Sequence, residues 1–319
     1  IRSALFGGRC EVFSVYNEYD EQNRCGRAID IVSLYPSCMM NNKYPIGKPI
    51  YIDKADIVQP FNLDDYFGII SCEVIPPEKL YLPVLPYKTK KGKLTFPLCK
   101  ECVENRITTC THFGHRCRNL IGCWTSVELK LAVAEGYTIC QVYQICHFSE
   151  GSETLFKPFI LEMLKGKLEA TGFPKNVNNE NEKCNYIHAI KNNTGCDLNY
   201  ERISYNSGRR HYYKTKLNSL WGKFSQNPVQ KTHTEIVKDS KALMKINNQI
   251  IEKKIVVDNM YALTAHSGND TVLVDYKNTA QHTKVPACSN PILASFVTAY
   301  GRIKLYESLK LIGDRSLTY

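Results

Sequence analysis

The chain has 319 residues, 43% of them hydrophobic, which is enough apolar material for at least one buried core and indicates a globular protein. Its 41 Lys and Arg residues outnumber its 31 Asp and Glu residues, and the formal charge of +10 favours a polyanionic partner but equally suits a soluble basic protein. Fourteen cysteines without a signal-peptide pattern argue against a secreted disulfide framework, and no apolar run is long enough to span a membrane. We therefore expect a soluble intracellular protein with reduced thiols.

The first part of the chain predicts a compact α+β start. Residues 9–16 and 27–32 predict strands, and a short helix is expected around Pro36, a residue that suits a first helical turn. From about residue 51 to 149 the composition becomes rich in Pro and Cys and has the character of an insertion. Its predicted elements are strands in 66–75 and 137–148 and a helix that begins at Thr125 or Ser126 and ends at Gly136.

The second half of the chain is predicted to be mainly helical. Apolar residues recur at roughly helical spacing in residues 153–172, and a polar, Asn-rich loop is expected over residues 176–183. The next helix covers about 209–224. Residues 229–285 predict a small hairpin module, and a long amphipathic helix then begins at Asn290 and Pro291 and ends at Gly313.

Asp30 is the one carboxylate in the otherwise apolar run AIDIVSLYPS, residues 28–37. On a strand it would lie on the face opposite Ile29 and Ile31, next to a helix N-terminus that favours anions. A divalent cation would explain this placement, because it bonds a carboxylate on one side and phosphate oxygens on the other. The residues alone leave open that Asp30 only satisfies a turn.

The densest cluster of functional residue types lies between residues 202 and 231, where seven Lys or Arg residues alternate with aromatic residues and no acidic residue occurs. Arg210, Lys214 and Asn218 recur every four residues and would line one stripe of a helix, which suits a chain of phosphate oxygens. Trp221 and Gly222 follow, a flat ring beside a residue that allows close approach of a base pair. A solvated cationic helix face is the alternative.

These stretches resemble two ordered motifs of family B DNA polymerases. DIVSLYPS, residues 30–37, resembles motif A, and KTKLNSLWGKF, residues 214–224, resembles motif B. The resemblance is strongest to the protein-primed branch, in particular to polymerases of Maverick/Polinton-type mobile elements and of related viruses and linear plasmids. Residues 7–9 are similar to the glycine motif of that branch, and residues 98–137 and 155–174 also resemble its pattern.

The resemblance implies two Mg²⁺ or Mn²⁺ ions held by Asp30 with help from the Ile31 carbonyl, and catalytic roles for Tyr35 and Lys214. The nucleotide-binding residues that it implies are Ser33, Leu34, Tyr35, Arg210, Lys214, Asn218, Trp221 and Gly222. The DNA-binding residues that it implies are Gly7, Gly8 and Arg9. Lys165 or Lys167 is either a further phosphate contact or part of a solvated helix face.

The implied fold is α+β, the right-hand core of a polymerase with a palm sheet, helical fingers and two insertions, without exonuclease or thumb. The expected parts are a first palm segment (1–50), a Cys-rich insertion similar to a terminal-protein region (51–152), fingers (153–226), a strand-displacement-like insertion (227–285) and a second palm segment (286–319). The expected partners are primer-template DNA, dNTPs and a terminal protein primer. A monomer without a membrane is expected, in the nucleus for a eukaryotic mobile element and otherwise in the cytoplasm or at a viral replication site.

Motif C of the family, Y-x-D-T-D-S, supplies the second metal-binding carboxylate, and Tyr319 looks like its opening residue. We therefore expect a fragment of a longer polymerase. Because two metals about 3.5–4 Å apart need more than one carboxylate, this chain alone is expected to bind DNA and nucleotide weakly and not to polymerise. The alternatives are a decayed element copy that keeps only DNA binding, and a zinc-dependent nucleic-acid-binding module without catalysis.

Cys99, Cys102, Cys110 and His112 form a C-x2-C pair followed by C-x-H. Zinc prefers four such ligands in a tetrahedron, and C-x2-C is its usual half-site, so a structural Zn²⁺ is predicted. The C-x-H half-site is tighter than the spacing in typical zinc fingers, and ordinary buried thiols stay an alternative.

Overall fold

The computed structural model describes residues 1–14, 16, 28–227, 232–237, 272–277 and 289–313. The α-helices in these residues are α1 (Leu34–Asn41), α2 (Lys100–Asn105), α3 (Ser126–Ala134), α4 (Lys157–Glu169), α5 (Glu180–Thr194), α6 (Ser207–Ser225) and α7 (Pro291–Ile312). The strands are β1 (Tyr44–Ile46), β2 (Ile50–Asp53), β3 (Gly68–Ile75), β4 (Tyr87–Lys88), β5 (Leu94–Thr95), β6 (Leu120–Thr125), β7 (Thr138–His147), β8 (Glu150–Ser152), β9 (Thr232–Val237) and β10 (Val272–Lys277).

A four-stranded antiparallel sheet in the order β2-β7-β3-β6 forms the centre of the Cys-rich region. Strand β3, one of the two central strands, is buried along almost its whole length, and most of its residues are apolar. Helix α3 packs on the sheet, and Trp124 is fully buried there, with its indole N–H donating to the carbonyl of Pro86 at 2.8 Å. The strands predicted in 66–75 and 137–148 and the helix after Thr125 are confirmed.

Helix α7 packs against α1 and α3. The Asn290 side chain accepts from the backbone N–H of Leu293 at 3.1 Å, Pro291 occupies the first turn, and Gly313 ends the helix with φ 67°. Residues 294–299 are all buried, so this helix is part of the core rather than a surface element. The predicted bounds are confirmed.

Helix α5 begins at Glu180, inside the loop that was expected from residue 176 to 183. Its first turn is fixed by a capping box, in which the Asn179 side chain accepts from the Glu182 N–H and the Glu182 carboxylate accepts from the Asn179 N–H. Tyr186, Ile187 and Ile190 of this helix pack on a small cluster around Cys196, Leu198 and Ile203. The loop expectation is confirmed for residues 176–179 and was wrong for residues 180–183, because these few apolar positions in a polar segment give a weak helical pattern.

The two strands expected at residues 9–16 and 27–32 are not formed in the residues that the structure describes. The first contains only an isolated bridge at Val12 and a bend at Phe13, and residues 28–30 are not part of a strand. Ile29 and Val32 are 77% and 72% exposed, so the apolar residues of this run are not all packed in a core. β-Branched residues favour extended backbone, but a strand also needs a partner.

The chain divides into two compact units, residues 1–222 with 290–319 and residues 223–289. In the second unit the described strands β9 and β10 pair antiparallel, in agreement with the strands predicted there; the segment that connects them lies outside the described residues. None of the described helices is both long and apolar enough to be a membrane span. All the described cysteines are free thiols.

Candidate active site

The N-terminus of α1 has an unusual backbone. Ser33, its N-cap residue, is left-handed with φ 55° and ψ 48°, and its carbonyl accepts from the Ser37 N–H at 2.9 Å. A left-handed residue with a Cβ costs roughly 1–3 kcal/mol and is found mainly at functional sites. The first-turn N–H groups of a helix have no partner inside the helix, and such an N-terminus favours anions. Asp30 is exposed three residues earlier.

Tyr35 is the residue at which several distant segments meet. Its ring contacts Trp221 of α6 edge-on, with centroids 4.8 Å apart. A Cβ added to Gly301 of α7 would lie 2.7 Å from the Tyr35 ring, and one added to Gly8 would lie 3.1 Å from its hydroxyl oxygen. These two glycines therefore provide the space in which the ring sits. Burial raises the pKa of Tyr35, an effect that the Arg302 charge partly opposes, so the phenol stays neutral.

Three cations gather where α4 approaches α6. Burial, followed by the charges of Arg210 and Lys214, lowers the pKa of Lys167, which shows that these side chains share one electrostatic environment. The helices approach closely because Gly166 has no side chain: a Cβ there would meet the Tyr213 ring at 2.3 Å. Lys165 instead lies 3.9 Å from Glu169. Of the two lysines considered from the sequence, Lys167 is the one beside the motif B cations.

The remaining motif B residues follow along α6. Asn218 is exposed one turn after Lys214, and Trp221 is half-buried against Tyr35. Gly222 has open space where a Cβ would be, as close approach of a ligand requires. The structure thus brings Tyr35 of motif A together with Trp221 of motif B, and Lys167 together with Arg210 and Lys214.

Arg9 departs from its expected DNA-binding role. Its side chain is 2% exposed, pairs with Glu11 at 2.7 Å, donates to the Pro83 carbonyl at 2.6 Å and lies 4.4 Å from the centroid of the Phe96 ring. A cation buried in this way has no surface left for a phosphate group. Arg9 therefore packs the N-terminal segment against the Cys-rich region.

A buried ion pair that the sequence did not reveal holds the glycine motif. Arg302 of α7 donates to both carboxylate oxygens of Glu128 at 2.7 and 2.9 Å and to the carbonyls of Phe6 and Gly7 at 2.9 and 2.6 Å. Both side chains are almost fully buried. The only sequence signal was an arginine on the apolar face of an amphipathic helix.

The four residues of the predicted zinc site come together. Cys99, Cys102, Cys110 and His112 each offer a ligand atom, and these atoms all lie within 4.8 Å of one another. The His112 Nδ1 lies 3.6, 3.4 and 3.9 Å from the three sulfur atoms in that order. Among the described residues this is the one group of three or more Cys, His or acidic residues with such geometry.

Electrostatics of the cluster favour a bound cation. The backbone N–H of His112 is the main cause that lowers the pKa of Cys110 to about 7, whereas burial, followed by hydrogen bonds to the neighbouring thiols, raises the pKa of Cys102 to about 12. Metal binding requires the thiolate form of these cysteines, and a bound cation would stabilise that form. The four side chains can hold a metal ion.

A model of the family described as DNA polymerase type B, organellar and viral, matches residues 1–184 and 190–311. The chain belongs to this family. The match confirms the resemblance to protein-primed family B polymerases that motifs A and B indicated. A search of curated protein sequences found no match.

Solved structures show the same family fold. Phi29 DNA polymerase in a ternary complex with primer-template DNA and incoming nucleotide is 18% identical, with a TM-score of 0.56, and the match covers 100% of this chain. The complex of phi29 DNA polymerase with single-stranded DNA gives a TM-score of 0.52 at 18% identity and 100% coverage. The chain spans 41% and 40% of these two phi29 chains. The predicted α+β polymerase core is confirmed.

Proposed function

We propose that the polymerase containing these residues transfers dNTPs onto a primer 3′-hydroxyl or a terminal-protein hydroxyl. The observation that carries the proposal is the contact of Tyr35 with Trp221, because it joins motif A and motif B in one place. The cations Lys167, Arg210 and Lys214 support it, since a triphosphate carries the charge that such a cluster binds. Primer-template DNA, dNTPs and a terminal protein are the proposed partners of a monomeric intracellular enzyme from a Polinton-type element or a relative.

In the proposed mechanism, Arg210, Lys214 and Lys167 hold the triphosphate, and the N-terminus of α1 adds backbone N–H donors. Tyr35 lies under the sugar, and Trp221 with Gly222 contacts the nascent base pair. The attacking hydroxyl oxygen bonds the α-phosphorus, the bond to the β-phosphate oxygen breaks, and the hydroxyl proton leaves to solvent as pyrophosphate departs.

Metal ions fit two places in the chain. The exposed Asp30 carboxylate and the Ile31 carbonyl are oxygen donors of the type that Mg²⁺ or Mn²⁺ prefers, and such an ion supplies charge stabilisation to the phosphoryl group. Three thiols and an imidazole suit Zn²⁺ instead, and we assign a structural zinc to the cluster around His112.

Metal analysis of the purified chain tests the zinc assignment. We expect about one zinc per chain, because structural sites with four ligands retain the ion. Cys102→Ser should lose zinc and lower the melting temperature, whereas the exposed Cys184→Ser should keep both unchanged. A wild-type chain without zinc after purification in zinc-containing buffer would contradict the assignment.

Primer extension by the complete polymerase tests the catalytic proposal. Asp30→Asn removes a metal ligand and should lower kcat by roughly 10²–10³-fold, a range typical for loss of one charge-stabilising group. Lys214→Ala should mainly raise the KM for dNTP. Asp56→Asn, an equally exposed carboxylate, is the matched control.

If Asp30→Asn extends primers as well as Asp56→Asn does, the polymerase assignment fails. That result would favour the second candidate, a zinc-dependent nucleic-acid-binding module, for which the Cys and His cluster is the supporting observation. The expectation that the 319-residue chain alone does not polymerise stays a prediction, which primer extension by the purified chain measures.

A further inference from the structure

A cleft of about 670 Å³ lies beside the metal cluster, outside the candidate active site. One wall is the turn of the hairpin β4–β5, and the other is α2 with the residues that follow it. The turn has the sequence Thr-Lys-Lys-Gly-Lys, residues 89–93, and is closed by hydrogen bonds between Thr89 and Lys93.

The rim of this cleft carries positive charge that the described part of the chain does not neutralise. Lys91, Lys93 and Arg106 line the cleft and are exposed, and no described carboxylate oxygen lies within the 4.0 Å of an ion pair with them. Glu104 is the one acidic residue of the lining. Its carboxylate is engaged, because it accepts from the Tyr87 hydroxyl at 2.8 Å and from the Lys90 N–H at 3.1 and 3.2 Å.

The floor of the cleft is aliphatic. Leu98, Val103 and Ile107 line it, and Ile107 is 41% exposed although it is a large apolar residue. An apolar floor below a cationic rim suits a ligand that has flat apolar faces and a charged backbone. Single-stranded DNA has both, since its bases are unpaired and its phosphates run along one edge.

Helix α2 connects the metal cluster with the turn at residues 89–93. Cys99 is the N-cap of α2 and Cys102 lies in its first turn, while the Ile107 N–H closes the end of the helix on the Cys102 carbonyl at 2.9 Å. Glu104 lies on the same helix and holds the hairpin through Tyr87 and Lys90. An ion that fixes α2 therefore also fixes the position of the lysines.

We propose that this cleft binds a segment of single-stranded DNA, separately from the polymerising site, and that the metal ion at the Cys99 cluster keeps the cleft in its binding shape. The inference rests on the zinc assignment and the polymerase function proposed above. On this proposal the Cys-rich insertion binds single-stranded DNA, and the metal ion increases the affinity for that DNA.

The test measures binding of a labelled oligothymidylate of about 16 nucleotides to the 319-residue chain by fluorescence anisotropy. The cleft variant is Lys91→Glu/Lys93→Glu. Its matched control is Lys48→Glu/Lys54→Glu, two exposed lysines outside the cleft with the same change in net charge. Each protein is measured with zinc, after a zinc-selective chelator, and after zinc is restored, with thermal unfolding as a check on folding.

We expect the cleft variant to bind about tenfold more weakly or worse, and the slope of log affinity against log salt to fall by about 1.4, as loss of two phosphate contacts to a single strand requires. The control should change less than about threefold. Zinc removal should weaken the wild type to a similar degree and reversibly, with no further loss in the cleft variant.

Equal affinities of the cleft variant and the control, or a wild-type affinity indifferent to zinc removal, would overturn the proposal. Two further results would overturn it. One is inorganic phosphate that displaces the labelled oligomer, at matched ionic strength, as effectively as unlabelled oligomer does. The other is an acidic peptide that binds the chain more tightly than the oligomer and loses affinity in the same variant. Failure of the proposed polymerase function would be seen in a different experiment. In that case Asp30→Asn would retain primer extension, and this result does not depend on how the oligomer binds.

Discussion

Lys167 carries its charge in a half-buried position beside two other cations. Lys167→Met removes a charge that is unfavourable in the free protein and favourable beside a triphosphate. We expect the KM for dNTP to rise about five- to tenfold, the range of one charge-assisted contact, with little change in kcat or in melting temperature. Steady-state primer extension with the complete polymerase measures both constants.

Lys165→Met is the matched control for Lys167, because Lys165 lies on the same helix but near Glu169. Burial, followed by the charges of Arg210 and Lys214, holds the pKa of Lys167 below that of an ordinary lysine, so its charge is lost at a lower pH than usual. The KM of the wild type should therefore approach that of Lys167→Met at alkaline pH. A ratio of the two KM values that does not change with pH would contradict this role.

Glu73 is a buried carboxylate with three donors around it. Arg116 donates twice, at 3.0 and 2.9 Å, while Asn119 and Tyr143 donate at 2.8 and 3.0 Å. The Arg116 bonds, followed by the Asn119 bond, lower the pKa of Glu73 to about 2. Because this pKa is below the value of about 4.3 in an unfolded chain, the carboxylate stabilises the fold above pH ~4.3 and loses that effect as the pH falls toward 2.

Glu73→Gln should therefore lower the free energy of unfolding at pH 7, and the difference from the wild type should shrink below pH ~4.3. Urea unfolding across this pH range measures it. The exposed Glu78→Gln is the control and should show no such difference. A deficit of Glu73→Gln that is the same at pH 7 and pH 3 would show that the carboxylate charge is not the cause.

At the scale of the elements, the sequence predicted best where local signals and burial agree. The bounds of α7 follow from Asn290-Pro291 at one end and Gly313 at the other, and the start of α3 follows from Thr125, whose side chain accepts from the Glu128 N–H. Helix α5 was missed because its apolar contacts are few. Residues 27–32 were misjudged because pairing depends on a partner that local sequence does not specify.

The candidate site was also predictable only in part, because local sequence patterns do not specify contacts between distant residues. The resemblance to motifs A and B identified Tyr35, Lys214 and Trp221 as residues of interest. It did not show that Gly301 makes room for the Tyr35 ring, or that Arg302 binds the carbonyl of Gly7, which is 295 residues away in the chain. Contacts at such separation depend on the complete fold, and no local pattern specifies them.

At the scale of the whole first unit, Arg302 and Glu128 connect the N-terminal segment, the insertion and the C-terminal helix. Arg302→Met leaves the Glu128 charge buried without its partner and should cost about 3–5 kcal/mol of unfolding free energy. Glu128→Gln/Arg302→Met should recover part of that loss, since the uncompensated charge is gone. Chemical denaturation measures all three proteins.

Lys304→Met is the matched control, because Lys304 is exposed on the same helix and its Nζ lies 3.4 Å from Glu307. Arg302→Lys keeps the charge but loses the paired donors, so we expect an intermediate loss. If Arg302→Met is as stable as Lys304→Met, the pair does not hold the three segments together.

The two tryptophans lie in different parts of the molecule and can report on them separately by fluorescence. Trp124 is buried in the core of the insertion, and Trp221 contacts Tyr35 in the candidate active site. Tryptophan fluorescence of the chain is therefore the sum of one signal from the core of the insertion and one from the candidate active site. Replacing either Trp by Phe isolates the emission of the other, so unfolding of the insertion and changes at the candidate active site can be followed separately in the same protein.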